Sequence, residues 1–400
     1  MILKIVILTF STSCLWAFSF KDGVKQIITH DSVEALSFQA KALEFEGEKQ
    51  GSWGDPIVKL AAKNYPVDNF SDDKSPMTGL EISVAQKIAL TNKYGKLNAA
   101  LNQMSQAKKF DVENKKQELV KLYWEILIDI RKLDEEVVII SENKNWIDGI
   151  LKASQQLYRN GKINQQTLLD IQIRKSELET SISNKQFELQ EQYDRLSYLL
   201  SSNSRRLDKR SVPWSSLEKV GAKTEDSKEL SLKSMLNSKK QVLAASKLNY
   251  VPDITFSLGY TKRANIDKQG DFASAMISFP LPFSDKTSAS YGQAVEEENN
   301  IKYQLKNYNR FKESEEKRIK NQIKKIKNEL GILDSKTIRF AQNSKKISSK
   351  SYTLGDTSYV ELLQAELKLQ NLLLMKSSLK AALAKNQVMY KFIIGDNLYE

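Results

Sequence analysis

The sequence predicts a mainly α-helical fold with a small β part, in which long coiled-coil helical hairpins are combined with four short β-strands. Three observations lead to this prediction. Apolar residues recur every seven positions in two very long stretches, four short segments alternate apolar and polar residues, and one turn motif occurs twice. A strict seven-residue repeat is typical of helices that supercoil around each other, and strict alternation is typical of strands with one apolar face.

Composition agrees with long, solvated helices. Among 400 residues there are only 7 Pro and 15 Gly, and charged residues make up 28%. The mean hydropathy is −0.47. The formal charge of +12 would suit a nucleic-acid partner. However, Lys and Arg are interleaved with Glu on the predicted helix surfaces and no nucleic-acid-binding motif occurs, so we expect no nucleic-acid partner.

The N-terminus has the pattern of a secretory signal peptide. A lysine precedes an apolar run, and Ala17 and Ser19 occupy the −3 and −1 positions that signal peptidase prefers, which predicts a signal peptide at 1–19. Cys14 is the only cysteine. Ser11 stands where a lipoprotein signal needs a large aliphatic residue, so lipidation of Cys14 is the less favoured alternative. Without cysteine, the mature chain would contain no disulfide.

No later segment reaches the ~20 apolar residues of a spanning helix. Strands would therefore have to carry any insertion into a membrane.

The first of two repeats is predicted at 20–200. A helix begins near Asp31, strands follow at 57–65 and 80–88, and a very long helix begins near Asn92. One apolar row of this helix repeats every seven residues and consists of Leu119, Ile126, Leu133, Ile140 and Ile147.

A turn motif follows the long helix at 158–161. Tyr158 and Gly161 lie 194 positions before Tyr352 and Gly355, so the motif occurs twice with identical internal spacing. Glycine just past a helix end adopts the left-handed conformation that most residues avoid, so each motif predicts a chain reversal. The pair indicates an internally duplicated chain.

A connecting segment at 201–228 precedes the second repeat, which is predicted at 229–400. The second repeat contains strands at 254–260 and 273–281 and a turn at 352–355. Its long helix carries an apolar row that repeats every seven residues and consists of Ile319, Ile326, Leu333, Phe340 and Ile347.

Four strands of this length cannot close a barrel within one chain, and lipid does not tolerate open sheet edges. Three copies would supply twelve strands, with the apolar rows facing lipid and the Lys, Glu and Ser side chains facing water. The sequence therefore predicts that the chain oligomerises to close the sheet. The alternative is a small soluble sheet that packs on a coiled-coil rod.

With this order of elements, the chain resembles the TolC family of outer membrane efflux proteins. The segments that carry the resemblance, besides the two turns, are Leu168-Leu169, Leu362-Leu363, Ala365, 77–86, 252–260 and 279–283. They extend over nearly all of the mature chain. The resemblance implies a trimeric 12-stranded β-barrel in the outer membrane of a Gram-negative bacterium, continued by an α-helical tunnel in the periplasm.

The function that the resemblance implies is that of the outer membrane channel of a tripartite efflux system. Such a channel passively conducts substrates that arrive from an inner-membrane transporter, here expected to be of the RND type, and a periplasmic adaptor protein. A type I protein-secretion duct and an exported coiled-coil structural or adhesin protein are the alternatives. The sequence does not indicate the substrate.

The resemblance also implies two functional regions. The two turns would form the tip that docks the adaptor, which assigns this role to Tyr158, Arg159, Gly161, Lys162, Tyr352, Leu354, Gly355 and Thr357. We expect the tyrosines and glycines to shape the turns and their exposed neighbours to make the contact.

The positions that match the tunnel entrance gate of some family members are Glu361 and Gln364. Three Glu361 carboxylates around a threefold axis would repel anions. Gln364 departs from the acidic pattern, so a second ring is in doubt. In the alternative interpretation, Glu361 is an ordinary residue in the first turn of a helix, where the helix dipole favours it.

Enzymatic chemistry is not indicated. His30 is the only histidine, and no metal-ligand spacing, nucleophile–base pair or phosphate-binding loop accompanies it. The many carboxylates are expected as solvated flanks of heptad helices. The sequence predicts no cofactor.

Overall fold

The computed structural model describes residues 18–201, 207–219, 221 and 226–399. The predicted signal peptide, with Cys14 and Ala17, lies outside these ranges except for its last two residues. The chain divides into two compact units. The sheet unit comprises Glu34–Glu113 and Ser227–Arg310, and the helical unit comprises Met1–Val33, Asn114–Asp226 and Phe311–Glu400.

The described ranges contain eight α-helices and four β-strands. The helices are α1 (Phe20–Ile28), α2 (Asp31–Gly51), α3 (Lys93–Arg159), α4 (Gln165–Leu200), α5 (Ser227–Leu248), α6 (Lys286–Ile332), α7 (Ile338–Leu354) and α8 (Tyr359–Ile394). The strands are β1 (Ile57–Lys63), β2 (Gly79–Ile88), β3 (Ile254–Arg263) and β4 (Phe272–Ser278). The predicted fold class, mainly α with a small β part, is confirmed.

Each half of the chain follows the same order of elements. The first half runs through α2, β1, β2, α3 and α4, and the second through α5, β3, β4, α6, α7 and α8. The α3 helix is 67 residues long. The bounds of the strands differ from the predicted ones by at most three residues.

The sheet unit contains one antiparallel sheet with the strand order β1-β2-β3-β4. Its register places Ile82 opposite Leu60 on one side and opposite Tyr260 on the other. The two central strands, β2 and β3, pair with each other although β2 belongs to the first half of the chain and β3 to the second. The edge strands are β1 and β4.

One end of the sheet is fixed by Arg263, whose side chain is almost fully buried. Its guanidinium donates hydrogen bonds to both carboxylate oxygens of Asp267, at 2.9 and 2.7 Å, and to the carbonyl oxygen of Pro76 at 2.6 Å. A buried guanidinium needs such partners for its donors. Arg263 thereby connects the β1–β2 loop to the β3–β4 loop.

The helical unit has an apolar core formed by α3, α4, α7 and α8. Its buried members are Ile140, Ile147, Ile150, Leu157, Ile171, Leu178, Tyr352, Tyr359 and Leu362. The row predicted on α3 supplies two of them, Ile140 and Ile147. Helices with a seven-residue apolar repeat bury that row against each other, which explains the core.

The short helix α1 was not predicted. Its Phe20 is buried, with ring centroids 5.2 Å from Tyr123 and 4.7 Å from Trp124 of α3. The indole N–H of Trp124 donates to the carbonyl oxygen of Leu398 at 3.0 Å. Aromatic packing therefore holds α1 and the C-terminal residues against the same part of α3.

A single π-helical turn, Leu333–Thr337, separates α6 from α7. A π-helix uses i→i+5 hydrogen bonds and so places one extra residue in the turn, which rotates every later side chain around the axis. The seven-residue row therefore leaves the buried face after Leu333, and Phe340 and Ile347 are 70% and 67% exposed. Ala341, eight residues after Leu333, is buried instead.

Among the described residues, no helix is both long enough and apolar enough to cross a membrane.

Candidate functional site

Alternate residues of the four strands form an exposed apolar surface, which we call the apolar sheet face. Cross-strand register places these side chains side by side, so that they form continuous rows. Its large exposed members are Val58, Leu60, Leu80, Ile82, Val84, Phe256, Leu258, Tyr260 and Ile277. A contiguous apolar patch of this kind on a protein surface indicates contact with lipid or with another protein.

The other side of the same sheet is mostly polar, and we call it the polar sheet face. Its members include Lys59, Lys63, Glu81, Ser83, Ser257, Thr261, Ser274 and Ser278. Lys63 and Glu81 form an ion pair across β1 and β2. One face therefore suits an apolar medium and the other suits water, as in a strand that separates lipid from an aqueous interior.

The second candidate region lies in the helical unit and comprises the two turns that join α3 to α4 and α7 to α8. In the first turn, Gly161 adopts φ +69°. The N–H groups of Gly161 and Lys162 donate to the carbonyl oxygens of Tyr158 and Leu157, both at 2.9 Å. Asn164 then caps α4, because its side-chain oxygen accepts from the N–H of Thr167 at 3.0 Å.

The second turn has the same backbone structure. Gly355 adopts φ +88°, and its N–H donates to the carbonyl oxygen of Tyr352 at 3.0 Å. The N–H of Asp356 donates to the carbonyl oxygen of Ser351 at 2.9 Å. In both turns a left-handed glycine thus allows two N–H groups to satisfy the last carbonyl groups of the helix.

The two turns contact each other. The Lys162 ammonium lies 3.5 Å from the carbonyl oxygen of Leu354, at the C-terminal end of α7. A cation is favoured at that position because the carbonyl groups at a helix C-terminus carry partial negative charge. Two of the residues assigned to the adaptor-docking tip are therefore neighbours.

The two tyrosines of the turn motif have different surroundings. Tyr352 is 1% exposed, and its hydroxyl lies 2.7 Å from the hydroxyl oxygen of Ser154 on α3. Its ring centroid is 6.2 Å from that of Tyr359. Burial raises the pKa of Tyr352, although the hydrogen bond with Ser154 opposes this shift. Tyr158, by contrast, is 44% exposed.

The remaining residues assigned to the tip lie at the surface. Arg159, Lys162 and Leu354 are exposed, and Thr357 is partly buried. We expected both tyrosines to pack inside their turns. Tyr352 is buried in this way, whereas Tyr158 is not.

The residues assigned to the tunnel entrance gate, Glu361 and Gln364, are both exposed in the first turns of α8. The Glu361 carboxylate accepts a hydrogen bond from the hydroxyl of Thr357 at 3.0 Å. The N–H of Glu361 lies 3.3 Å from the hydroxyl oxygen of Ser358, which caps α8. Because residues three apart lie on the same side of a helix, Glu361 and Gln364 share one exposed face.

A buried ionic cluster close to this face was not predicted. Arg174 of α4 donates to one carboxylate oxygen of Glu366 at 3.1 Å and also to the side-chain oxygen of Gln370. Glu366 is fully buried. Within the part of the chain that the structure describes, its second carboxylate oxygen has no hydrogen-bond partner. Removing one member of a buried ion pair is strongly destabilising, so this cluster fixes α4 against α8.

The sequence did carry a signal for this cluster. Glu366 lies between Leu362 and Leu369 in the apolar row of α8, where a carboxylate is out of place. A charged residue in an apolar helix row requires a partner on the adjacent helix, but the sequence does not identify Arg174 as that partner.

A further cation lies near the cluster. Lys345 of α7 donates to the side-chain oxygen of Asn143 at 2.9 Å, and its ammonium is 3.9 Å from the centre of the Trp146 ring. Burial lowers the pKa of Lys345, whereas the negative charge of Glu366 acts in the opposite direction. Across the described ranges, no group of three or more potential ligands is arranged to hold a metal ion.

Comparison with known proteins gives matches among solved structures only. No family model matches the sequence, and no curated protein does. The outer-membrane channel OprN superposes with a TM-score of 0.79 at 13% sequence identity, covering 95% of this chain and 91% of that chain. The outer membrane protein VceC from Vibrio cholerae superposes with a TM-score of 0.77 at 12% sequence identity, covering 95% of this chain and 96% of that chain.

The open state of the MtrE outer membrane channel of Neisseria gonorrhoeae gives a TM-score of 0.74 at 10% identity, covering 95% of this chain and 89% of that chain. At such low identity, the comparison concerns the fold. The chain has the fold of these outer-membrane channels, and the fold implied by the resemblance to the TolC family is thereby confirmed.

Proposed function

We propose that this protein is the outer membrane channel of a tripartite efflux system in a Gram-negative bacterium. In this role it passively conducts substrates that a periplasmic adaptor and an inner-membrane transporter deliver. The observation that carries the proposal is the exposed apolar sheet face, with a polar face behind it. The similarity in fold to outer-membrane channels supports the same conclusion.

The proposed assembly is a homotrimer. The sheet has two edge strands, β1 and β4, and unpaired backbone groups at a sheet edge are very unfavourable in lipid. If β4 of one copy pairs with β1 of the next, three copies close a barrel of twelve strands. The apolar sheet face then contacts the lipid of the outer membrane, and the polar sheet face lines an aqueous channel.

The helical unit supplies the periplasmic part of the proposed channel. We assign adaptor docking to the exposed Arg159, Lys162 and Leu354 and to the partly buried Thr357, and shaping of the turns to Gly161 and Gly355. Three copies of Glu361, with Gln364 beside it, would surround the tunnel entrance and disfavour anions. The RND type of the transporter is proposed from the resemblance to the TolC family.

The duplication is part of the proposal. Segments 20–200 and 229–400 are proposed to be two copies of one ancestral repeat, joined by the connecting segment 201–228. The first 19 residues are proposed to be the signal peptide that exports the chain.

The central test compares two adjacent residues of β4. Ile277 belongs to the apolar sheet face and is 61% exposed, whereas Ser278 belongs to the polar sheet face. We expect Ile277→Lys to oppose stable insertion, because a lysine on the lipid side of a strand is unfavourable, by about 2–4 kcal/mol at the bilayer midplane and by less toward the strand ends. Ser278→Lys places the same charge in the aqueous interior and should be tolerated.

The measurement is the amount of each variant in the outer-membrane fraction, followed by the native mass of the detergent-extracted protein and its ion conductance in planar bilayers. Wild type and Ser278→Lys should give trimers that conduct ions, and Ile277→Lys should give neither. A wild-type protein that is monomeric in the soluble periplasmic fraction, or equal insertion of the two variants, would contradict the proposal.

Docking and gating are tested separately on the inserted channel. Lys162→Glu should weaken capture of the adaptor without changing conductance, because Lys162 lies at the exposed turn.

Glu361→Gln should reduce the preference of the channel for cations, with Gln364→Glu as the matched variant that should increase it. If ion selectivity is unchanged in both gate variants, the proposed role of Glu361 at the tunnel entrance is wrong.

A further inference from the structure

Among the described residues, the lining of one cavity in the helical unit contains three lysines and no carboxylate. The cavity has a volume of about 420 Å³ and is open to solvent. Its lining includes Trp146 of α3, Lys345, Lys346 and Lys350 of α7, and Leu369 of α8. We call it the basic cavity. Its volume is in the range of cavities that bind small organic molecules.

The three lysines of the basic cavity form no ion pair within the part of the chain that the structure describes. Other lysines of the helical unit are paired, since Lys376 and Lys380 of α8 lie 2.7 and 3.6 Å from the carboxylates of Asp334 and Glu135. Ammonium groups around one cavity repel each other, and an anion that enters the cavity relieves this repulsion.

The ammonium group of Lys345 is held at the wall of the basic cavity. It donates a hydrogen bond to the side-chain oxygen of Asn143 at 2.9 Å and lies 3.9 Å from the centre of the Trp146 ring. Burial lowers the pKa of Lys345, and the charge of Glu366 opposes this shift. Glu366, however, already forms an ion pair with Arg174 at 3.1 Å. Lys345 is therefore a positioned cation without a counterion of its own.

Asn143 adds a buried hydrogen-bond donor next to Lys345. Its side chain accepts from Lys345 through the oxygen, and the residue is 7% exposed. Across the described ranges, its amide nitrogen has no hydrogen-bond partner. A buried donor without a partner is unfavourable. Ammonium and amide N–H groups only donate, so the oxygen atoms of a carboxylate or phosphate are suitable partners for both.

The first half of the chain lacks this arrangement. At the offset of 194 positions that relates the two turns, Lys345 corresponds to Leu151 and Lys350 corresponds to Gln156, so the equivalent positions carry one lysine instead of three. The two turns nevertheless have the same backbone structure. The three lysines are therefore not required for the turn that the two halves have in common.

We propose that the basic cavity binds a small organic anion, with its carboxylate or phosphate oxygens on the ammonium groups of Lys345, Lys346 and Lys350 and its carbon skeleton against Trp146. The cavity lies within the helical unit of one chain. The inference therefore goes beyond the proposed channel and does not depend on the trimer.

The test is equilibrium dialysis of the full-length, detergent-extracted protein against radiolabelled phthalate, with phenyl phosphate as a second probe. Both probes carry an aromatic ring, and they distinguish a carboxylate from a phosphate. We expect one probe molecule to bind per chain, and the affinity should fall as ionic strength rises, because salt screens the charges. The probe that binds more tightly identifies the acid group that the site prefers.

The deciding variant combines Lys346→Gln with Lys350→Gln. Both lysines are exposed, so the variant should fold like the wild type, which circular dichroism checks. We expect binding to weaken about tenfold, since one ion pair contributes up to about fivefold in affinity. The matched control combines Lys152→Gln with Lys368→Gln. It removes the same charge from exposed positions outside the cavity lining and should change the affinity by less than about twofold.

Two results would overturn the inference. One is the absence of binding of both probes up to millimolar concentrations, and the other is an equal loss of affinity in the two double variants. Either result leaves the proposed channel in place, because membrane insertion and conductance are measured independently of the dialysis.

Discussion

The first and second turns have the same backbone but different surroundings. In each, a glycine with positive φ follows a tyrosine by three residues, and the N–H groups of this glycine and of the next residue make equivalent hydrogen bonds. In the second turn the tyrosine is buried and bonded to Ser154, whereas in the first turn it is 44% exposed. Local sequence therefore determines the backbone of a turn, and the neighbouring helices determine what its side chains do.

The same contrast exists between the return helices. In α8, Glu366 is buried and paired with Arg174. The equivalent positions at the offset of 194 are Gln172 and Lys368, so no carboxylate stands at the position equivalent to that of Glu366. The two halves thus differ in the chemistry of these positions, while the order of the elements is the same in both.

The largest effect is expected from truncating the two tyrosines. Tyr352→Ala should lower the free energy of unfolding by about 3–5 kcal/mol, because it removes a large buried ring and leaves the Ser154 hydroxyl unpaired. Chemical denaturation of the detergent-extracted protein, followed by circular dichroism, measures the loss. Tyr158→Ala removes a side chain that is 44% exposed, so the loss should be below about 1 kcal/mol. Equal losses in the two variants would contradict the difference between the turns.

The buried ion pair provides the second comparison. Arg174→Met leaves the carboxylate of Glu366 buried without a cation and should cost about 3–5 kcal/mol. Lys368→Met, at the equivalent exposed position of α8, should change stability by less than about 0.5 kcal/mol. The same denaturation measurement checks both variants. A small loss for Arg174→Met would contradict the role of this ion pair in fixing α4 against α8.

The glycines should respond alike, because here the turns are the same. Gly161→Ala and Gly355→Ala should each cost about 1–2 kcal/mol, since an L-residue with positive φ is strained. Steric clashes do not distinguish the two variants. A Cβ atom added to Gly161 would have no neighbour within 4 Å, and one added to Gly355 would lie 3.4 Å from the Lys162 side chain, which is an ordinary van der Waals contact. Thermal denaturation of the two variants should give similar losses. A much larger loss at one glycine would mean that the backbones are not equivalent.

The smallest effect concerns alkaline pH. Burial raises the pKa of Tyr352 above the ordinary 10.0, although its hydrogen bond with Ser154 opposes the shift. The unfolded chain therefore loses this proton at a lower pH than the folded chain does, and stability should fall as pH rises above about 10. Burial raises the pKa of Tyr359 as well, so Tyr359 should add to the loss of stability at alkaline pH.

The control for this prediction is Tyr352→Phe, which removes the ionisable hydroxyl and keeps the ring. Between about pH 9 and about pH 11, the variant should lose less stability than the wild type. An identical decline in both proteins would mean that Tyr352 does not contribute to it.

Much of the fold could be predicted from the sequence, because its elements are determined by local periodicity. Alternation placed the four strands, for instance with Leu258 and Ser257 on opposite faces, and the two glycines marked the turns between long helices. The seven-residue row on α3, from Leu119 to Ile147, is buried along its whole length. These predictions needed only neighbours along the chain.

The buried row after Leu333 could not be predicted in this way. A heptad pattern continued through Phe340 and Ile347 in the sequence, but the π-helical turn adds one residue and rotates both side chains to the surface. Two apolar rows were available on α7, and hydrophobicity alone does not distinguish a row covered by the same chain from a row left for another surface.

The sequence by itself determined the long helices, the alternating strands, the two glycine turns and the common order of elements in the two halves, because each depends on side-chain period or on backbone conformation at single residues. The tertiary structure alone decided that Tyr352 is buried while Tyr158 is not, and that Arg174 is the partner of Glu366. Both depend on which helices become neighbours, and residues almost 200 positions apart in the chain carry no local signal of that contact.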